Sequence, residues 1–356
     1  MFFYEYELAK ASSIVTRELL KLKLGETVVI TADTETDPRV VDATAGATFA
    51  VGAKPMVIWL ASPLGVAKAA DPMLPVKALT AVLKEADVWV EFNNQYLLYS
   101  TAADIALKEN KKLRYLNLNG MNPDIMTRCI GRVDYPTLKE FIEKITEMIK
   151  NTKHIRMTTP AGEDVEFDNA KIKGGKPDPK HPIIADLGYA HVPGAHMLPG
   201  VLGWAPDLES VNGKIVVDGL INPPCGLLKE PVHLTIKAGE VIKVEGGRQA
   251  MEFEAWMKSF NHPQMLKLAH AELGFSPGAK LDDGLCNESE RIWGAATWGF
   301  GQIASFLIKP DGISAPSHSD AICLNNSIWL DGKQIMDGGR IIDSDLVKLA
   351  QKLGET

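Results

Sequence analysis

Several features that mark whole classes of proteins are missing from this 356-residue sequence. Its four cysteines lie far apart and include no Cys-x-x-Cys pair, which argues against both a zinc knuckle and a disulfide framework. No apolar run approaches about 18 residues, so no segment is expected to span a membrane. Reduced, mostly buried thiols are therefore expected at Cys129, Cys225, Cys286 and Cys323.

An excess of positive charge is missing as well. The net charge is −7, and the lysines and arginines are scattered along the chain, which argues against binding to nucleic acid or to anionic membrane. The first ten residues, Met-Phe-Phe-Tyr-Glu-Tyr-Glu-Leu-Ala-Lys, carry acids where a signal peptide carries bases, and they lack its apolar core. We therefore expect a cytoplasmic protein whose partner is a small molecule.

Two families of catalytic motif are absent. No Gly-x-Gly-x-x-Gly or Walker loop follows a predicted strand, so no dinucleotide or nucleotide phosphate site is expected. No Gly-x-Ser-x-Gly elbow occurs. Ser317, His318 and Asp320 lie too close along one strand to act as nucleophile, base and orienter, which disfavours a serine hydrolase.

What the chain does contain is two stretches of different pattern, and its length favours two domains. In residues 1–150, apolar strands alternate with helices, which is typical of a doubly wound parallel α/β sheet. In residues 151–356, short alternating strands predominate, with helices expected over 250–260 and 262–272. The predicted fold class is an N-terminal α/β domain followed by a C-terminal, β-rich α+β domain.

The C-terminal domain contains the pattern of a metal site. His318 and Asp320 are two residues apart in a predicted strand, so both side chains lie on one face. They supply two thirds of the site in which two histidines and a carboxylate hold one metal. His270 is the best upstream donor for the third ligand, and Glu272 is a further possible ligand. Glu288 and Glu290 lie in a polar run that is typical of a solvated turn.

Other polar and aromatic residues are candidates for contact with substrate. His191 and His196 lie in a loop rich in Gly and Pro, where they would serve as acid or base, or remain surface histidines. Trp298 and Ser305, close to the metal strand, are candidates for the substrate pocket, with core packing the alternative for Trp298. In the N-terminal domain, the ends of the predicted strands offer further candidates: Asp33, Asn93, Asn94, Tyr96 and Asn119. The acidic turn 33–37 is also typical of a helix cap.

An ordered set of landmarks in the second half resembles the aminopeptidase T-like metallopeptidases and their relatives, the 2,5-dihydroxypyridine 5,6-dioxygenases. The landmarks are Thr158-Thr-Pro-Ala-Gly-Glu-Asp, Met197-Leu-Pro-Gly, Trp204-Ala-Pro, Val211-Asn-Gly-Lys-Ile-Val-Val-Asp-Gly, Val244-Glu-Gly-Gly, Gly274-Phe-Ser-Pro-Gly-Ala and Ser317-His-Ser-Asp. The resemblance extends over nearly the whole chain and implies an α/β domain followed by a metal-binding catalytic domain.

The two branches differ in their metal ligands. The Pro-x-Gly-Glu and Gly-Thr-x-His landmarks of the two-metal peptidases appear here as Leu198-Pro-Gly-Val-Leu-Gly and Gly294-Ala-Ala-Thr-Trp, without the glutamate and the histidine. The dioxygenase branch holds one iron(II) by two histidines and an aspartate. Its pattern carries over to His270, His318 and Asp320.

This resemblance implies an iron(II) dioxygenase that cleaves a hydroxylated pyridine or a similar small aromatic ring, and a homo-oligomer. His191 and His196 would move a proton or bind the ring hydroxyl. Where the dioxygenases place a histidine on the N-terminal domain, this chain offers Tyr96 and Tyr99. Two alternatives stay open: a metallohydrolase, with Mn(II) or Zn(II), that opens a cyclic amide or diketone or acts as an aminopeptidase, and a non-enzymatic ligand-binding protein.

Overall fold

The computed structural model describes residues 4–281 and 286–355. The first three residues, part of the segment compared above with a signal peptide, lie outside these ranges. Of Cys286, only the backbone is described. The α-helices are α1 (Glu5–Ile14), α2 (Pro38–Ala50), α3 (Val76–Glu85), α4 (Thr101–Glu109), α5 (Pro123–Met126), α6 (Tyr135–Asn151), α7 (Arg248–Ser259), α8 (Cys286–Ser289) and α9 (Val347–Lys352). Within the described ranges, no helix has the length and apolar character needed to cross a membrane.

The strands are short and numerous. They are β1 (Thr27–Asp33), β2 (Lys54–Leu60), β3 (Val88–Glu91), β4 (Arg114–Asn117), β5 (His154–Thr158), β6 (Asp164–Asp168), β7 (Ile184–Asp186), β8 (Gly194–Met197), β9 (Val201–Trp204), β10 (Asn212–Val217), β11 (Leu220–Asn222), β12 (Gly226–Leu227), β13 (Val232–Lys237), β14 (Glu240–Glu245), β15 (Leu268–Gly274), β16 (Ala296–Ile303), β17 (Ile313–Cys323), β18 (Ser327–Leu330), β19 (Lys333–Asp337) and β20 (Arg340–Ile341).

The chain divides into two compact units. The first unit comprises Met1–Val133 and Asp186–Pro199, and the second comprises Asp134–Ala185 and Gly200–Thr356. Helix α6 therefore belongs to the second unit, although the sequence pattern assigned it to the N-terminal domain. The short segment with β8 returns to the first unit. The two units thus do not coincide with residues 1–150 and 151–356.

The first unit contains one five-stranded sheet in the order β2-β1-β3-β4-β8. Every ladder in it is parallel, which confirms the predicted parallel α/β class. The last strand, β8, lies in the segment that the sequence presented as a loop. Its pairing partner, β4, is far away in sequence, and four residues without an alternating pattern do not reveal such a pairing.

The acidic turn after β1 confirms the predicted helix cap. The side chain of Asp37 accepts a hydrogen bond of 2.9 Å from the backbone N–H of Arg39, and Pro38 occupies the first turn of α2. Asp33 accepts hydrogen bonds from the backbone N–H groups of Asn94 and Gln95, at 2.7 and 3.0 Å. Asp33 therefore links the end of β1 by hydrogen bonds to the segment that follows β3.

The second unit contains an eight-stranded and a seven-stranded sheet, with orders β14-β13-β10-β6-β5-β18-β19-β20 and β12-β11-β17-β16-β15-β9-β7. The ladders resolved in both sheets are antiparallel, as at β15 with β16 and at β16 with β17. This confirms the predicted β-rich class of the second half. Strand β17, the longest, pairs with β16 on one side and β11 on the other.

The prediction of a helix over 262–272 is wrong. Pro263–Leu266 form a single 3-10 turn, and Leu268–Gly274 form the strand β15. This strand is hydrogen-bonded on both edges, to β9 and β16, and almost all of its residues are buried. A short strand buried on both faces has the same continuous apolar pattern as a buried helix, so periodicity alone did not separate them.

Candidate metal centre

The two predicted ligands of the C-terminal strand lie on the same face of β17, as the two-residue period of a strand requires. His318 is paired with Gly301, and Asp320 with Gly299, on the neighbouring strand β16. Gly299 is paired in turn with His270 on β15. Three adjacent strands thus bring together the three residues that the sequence selected as metal ligands.

Three ligand atoms converge above β16. Nε2 of His318 lies 3.1 Å from Nε2 of His270 and 3.1 Å from Oδ1 of Asp320, and Nε2 of His270 lies 3.3 Å from Oδ1 of Asp320. Two ligand atoms that each bind a metal at about 2.1 Å, at a right angle, are about 3 Å apart. The triangle therefore has the size of a facial metal site. In the described part of the chain, this is the one group of three or more His, Cys, Asp or Glu ligand atoms that meet so closely.

A hydrogen bond determines which nitrogen of His318 faces the triangle. Nδ1 of His318 lies 2.7 Å from the backbone carbonyl oxygen of Gln302. Because a carbonyl oxygen only accepts, Nδ1 carries the proton, and Nε2 of the neutral ring presents a lone pair. Such a backbone partner orients metal-binding histidines in proteins. The lone pair points toward a carboxylate oxygen and a second imidazole, which is an arrangement that a cation stabilises.

Two glycines on β16 are paired with the residues that carry the ligand atoms. A Cβ atom at Gly299 would lie 2.3 Å from Nε2 of His270. Gly301 has a φ of +88°, and a Cβ atom there would lie 2.5 Å from the carbonyl oxygen of Ser317. Sequence reasoning missed both glycines as parts of the site. Their spacing of two residues in a strand next to the His-x-Asp pair is the signal that would have revealed them.

The neighbouring histidines keep the aspartate ionised despite its burial. His270 is only 5% exposed, and the side chains of His318 and Asp320 are each 13% exposed. Burial by itself raises the pKa of Asp320, but when the two imidazoles are protonated the charge of His318 and the hydrogen bonds from His270 and His318 outweigh burial and hold that pKa below its usual value. Asp320 is therefore available as an anionic ligand at neutral pH.

The other carboxylates singled out from the sequence have different places. Glu272 lies two residues after His270 on the same strand, with its Oε1 3.7 Å from Nδ1 of His270, so it lies beside the triangle rather than in it. Glu288 accepts a hydrogen bond of 2.8 Å from the backbone N–H of Lys280. Glu290 forms an ion pair of 2.8 Å with Arg291.

Trp298 lies in the core and not in the metal centre. It is paired with Ala321, one residue away from Asp320, so its side chain lies on the opposite face of the sheet. The indole is fully buried, and its N–H donates a hydrogen bond of 2.9 Å to Oε1 of Glu163. The prediction that Trp298 contacts substrate is therefore corrected in favour of core packing.

The remaining candidates stay predictions. His191, His196 and Tyr96 belong to the first unit, whereas the metal-binding triangle belongs to the second. His196 lies in β8, where its Nε2 donates to the carbonyl oxygen of Val192 at 2.9 Å, and burial lowers its pKa. Ser305 lies in an exposed turn after β16.

Comparison with known proteins identifies relatives over almost the whole chain. The profile of a family described as 2,5-dihydroxypyridine 5,6-dioxygenase (NicX) matches residues 13–343. The 2,5-dihydroxypyridine 5,6-dioxygenase of Pseudomonas putida is 24% identical over 277 residues, which is 74% of this chain and 73% of the relative.

Two solved structures share the fold. The 2,5-dihydroxypyridine dioxygenase of Pseudomonas putida KT2440 superposes with a TM-score of 0.76 at 22% identity, covering 96% of this chain and 99% of its own. AmpT of Thermus thermophilus superposes with a TM-score of 0.66 at 14% identity, covering 96% and 100%. The overall fold is thus common to a dioxygenase and to AmpT.

Proposed function

This chain belongs to the 2,5-dihydroxypyridine 5,6-dioxygenase family, and from that premise we propose that it is an iron(II)-dependent dioxygenase that cleaves a hydroxylated pyridine or a similar small aromatic ring. The observation that supports this proposal most directly is the buried triangle of Nε2 of His270, Nε2 of His318 and Oδ1 of Asp320. Two imidazoles and one carboxylate on one face are the ligand set of mononuclear non-haem iron oxygenases.

In this proposal His270, His318 and Asp320 hold the metal. Iron(II) bound there would supply open coordination positions for a ring oxygen and for dioxygen. Asp320 contributes the negative charge that favours a divalent cation, and both imidazoles contribute neutral nitrogen. Mn(II) or Zn(II) would fit the same atoms by size, so the metal has to be identified by measurement.

The chain's own residues prepare the site before any substrate arrives. The backbone carbonyl of Gln302 keeps the proton of His318 on Nδ1 and so keeps Nε2 free. Gly299 leaves the space that the ring of His270 needs. Burial of all three ligands limits the access of water, which strengthens the electrostatic interactions at the centre.

Proton transfer and substrate binding need further groups. We assign His191 and His196 as the candidates that move a proton or bind the ring hydroxyl, because a histidine changes charge close to neutral pH. Lowering of the pKa of His196 by burial favours its neutral form, which accepts a proton. Tyr96 and Ser305 are the remaining candidates for contact with the ring. We also propose that the enzyme is cytoplasmic, as its cysteine usage indicates, and a homo-oligomer, as the resemblance implies.

The test is anaerobic metal analysis followed by oxygen-electrode measurements with iron(II) and a panel of hydroxypyridines. We expect one iron per chain and oxygen uptake that depends on the substrate. Bound metal with no oxygen uptake would overturn the dioxygenase assignment in favour of a hydrolase, to be tested with cyclic amides and diketones. A protein that binds no metal and turns over none of these compounds would contradict both enzymatic assignments.

A further inference from the structure

A cavity of about 530 Å³ lies within the second unit. It is bounded by the C-terminal half of α6, by the segment 169–183 and by Trp204 at the end of β9. Cavities of a few hundred Å³ are the size that proteins use to bind small molecules. No residue of the metal centre lines it.

The cavity is separated from the metal centre by the sheet itself. Trp204 is paired with Ala271, and the side chain of Ala271 lies on the face opposite to that of its neighbour His270. A molecule bound beside Trp204 would therefore lie across the sheet from the three metal ligands. It would not be the molecule on which the metal centre acts.

The walls of this cavity are mostly apolar. Pro177, Pro182, Ile183 and Trp204 contribute to them. The indole N–H of Trp204 already donates a hydrogen bond of 2.9 Å to Oδ1 of Asn169, so the indole offers the cavity only apolar surface. Proline and indole rings present flat surfaces, which favour a flat, ring-shaped ligand.

The charged groups around the cavity are mainly positive. Three lysines line it, Lys150, Lys171 and Lys176, against one acid, Asp178. Nζ of Lys171 is held 2.9 Å from the carbonyl oxygen of Lys150, at the end of α6. Lys176 forms no ion pair within the described residues. Lys150 is paired with Glu147 at 3.7 Å, so Lys171 and Lys176 supply the positive charge that favours an anionic ligand.

One of the lining residues also carries a buried polar atom without a partner among the described residues. Nδ1 of His181, a lining residue, is buried and has no hydrogen-bond partner in the described part of the chain. Leaving such an atom unpaired destabilises the folded chain. A ligand oxygen that accepts a hydrogen bond from the Nδ1–H group would supply the missing partner.

We propose that this cavity binds a small aromatic carboxylate. The ring lies against the proline and indole walls, while the carboxylate accepts hydrogen bonds from Nζ of Lys176 and from Nδ1 of His181. The carboxylate satisfies the unpaired imidazole and neutralises part of the lysine cluster. This site does not depend on the proposed oxygenase activity.

The experiment is titration calorimetry of the full-length protein with benzoate, and with benzamide, acetate and inorganic phosphate as comparison ligands. We expect saturable binding of one benzoate per chain. Benzamide lacks the charge, acetate and phosphate lack the ring, and each is expected to bind at least about tenfold more weakly. Binding of benzamide or phosphate as tight as that of benzoate would overturn the proposal, as would no binding of benzoate.

Variants then locate the site. Lys176→Gln and His181→Leu are each expected to weaken benzoate binding roughly tenfold. Lys173→Gln is the matched control, since Lys173 lies in the same segment but does not line the cavity, and it should leave the affinity unchanged. Asp320→Ala should also leave it unchanged, which separates this site from the metal centre. Equal losses in the Lys173 and Lys176 variants, or loss in Asp320→Ala, would overturn the assignment.

Discussion

A Cβ atom on Gly299 would lie 2.3 Å from Nε2 of His270, a distance at which two non-bonded atoms repel each other strongly. Gly299 lies on the strand between the two strands that carry the metal ligands, and it is paired with both His270 and Asp320. The absence of a side chain at this one position is therefore what allows an imidazole from β15 and a carboxylate from β17 to meet.

Gly299→Ala is expected to displace the ring of His270 and to lower metal affinity roughly 10–100-fold, the range seen when groups that orient metal ligands are changed. Turnover should fall with the loss of metal. Metal content after dialysis against a chelator series measures the effect, and circular dichroism checks the fold. Gly46→Ala is the control, because a Cβ atom there meets nothing within 4 Å. Unchanged metal affinity in Gly299→Ala would contradict this geometry.

The ligand assignment makes a second prediction. His270→Ala and Asp320→Ala should each abolish both bound metal and turnover, because a facial site with two of its three protein ligands no longer holds the ion in place. His154→Ala is the control: that half-exposed ring is hydrogen-bonded to Asp168, and its removal should change neither bound metal nor activity. If either ligand variant kept full activity, the assignment would be wrong.

The sequence predicted those parts of the fold and site that depend on local pattern. The cap at Asp37 follows from a few neighbouring residues, and so does the common face of His318 and Asp320. The short strand β8 depends instead on pairing with β4, which periodicity does not encode. The same holds for the grouping of residues 186–199 with the first unit.

The role of Gly299 depends on a distance between strands, and that is why the sequence did not reveal it. The position of Trp298, the preceding residue, could not be predicted from the sequence for the same reason. An aromatic residue between small residues fits a pocket wall and a core equally well from the sequence. The face that it occupies is decided by the register of β16 against β17.

The cap of α2 gives a prediction about stability. Replacing Asp37 with alanine removes the acceptor for the backbone N–H of Arg39, and it should lower the free energy of unfolding by about 1 kcal/mol. Urea denaturation followed by circular dichroism measures the change. Asp42→Ala, on the exposed surface of the same helix, should change it by less than about 0.5 kcal/mol. Equal effects of the two substitutions would show that the cap contributes nothing specific.

Glu163 gives a prediction about pH. It is 2% exposed, and burial raises its pKa from 4.5 to about 8 against the opposing hydrogen bond from Trp298. The folded protein therefore keeps this carboxyl protonated over a range in which the unfolded chain has lost the proton. Because the folded state binds more protons there, the stabilising contribution is complete below about pH 4.5 and is lost as the pH rises through about 8.

Glutamine at position 163 keeps an oxygen that accepts the indole N–H of Trp298 but cannot ionise. Glu163→Gln should therefore match the parent protein near pH 4.5 and become the more stable of the two as the pH rises toward 8, by an amount on the order of a few kcal/mol. Urea denaturation at several pH values between 5 and 8.5 gives this difference directly. Glu166→Gln is the control, since Glu166 is exposed on the same hairpin, and its difference from the parent should not grow with pH. A constant difference for Glu163→Gln would mean that Glu163 is already ionised in the folded protein, and a buried cation would then have to be found beside it.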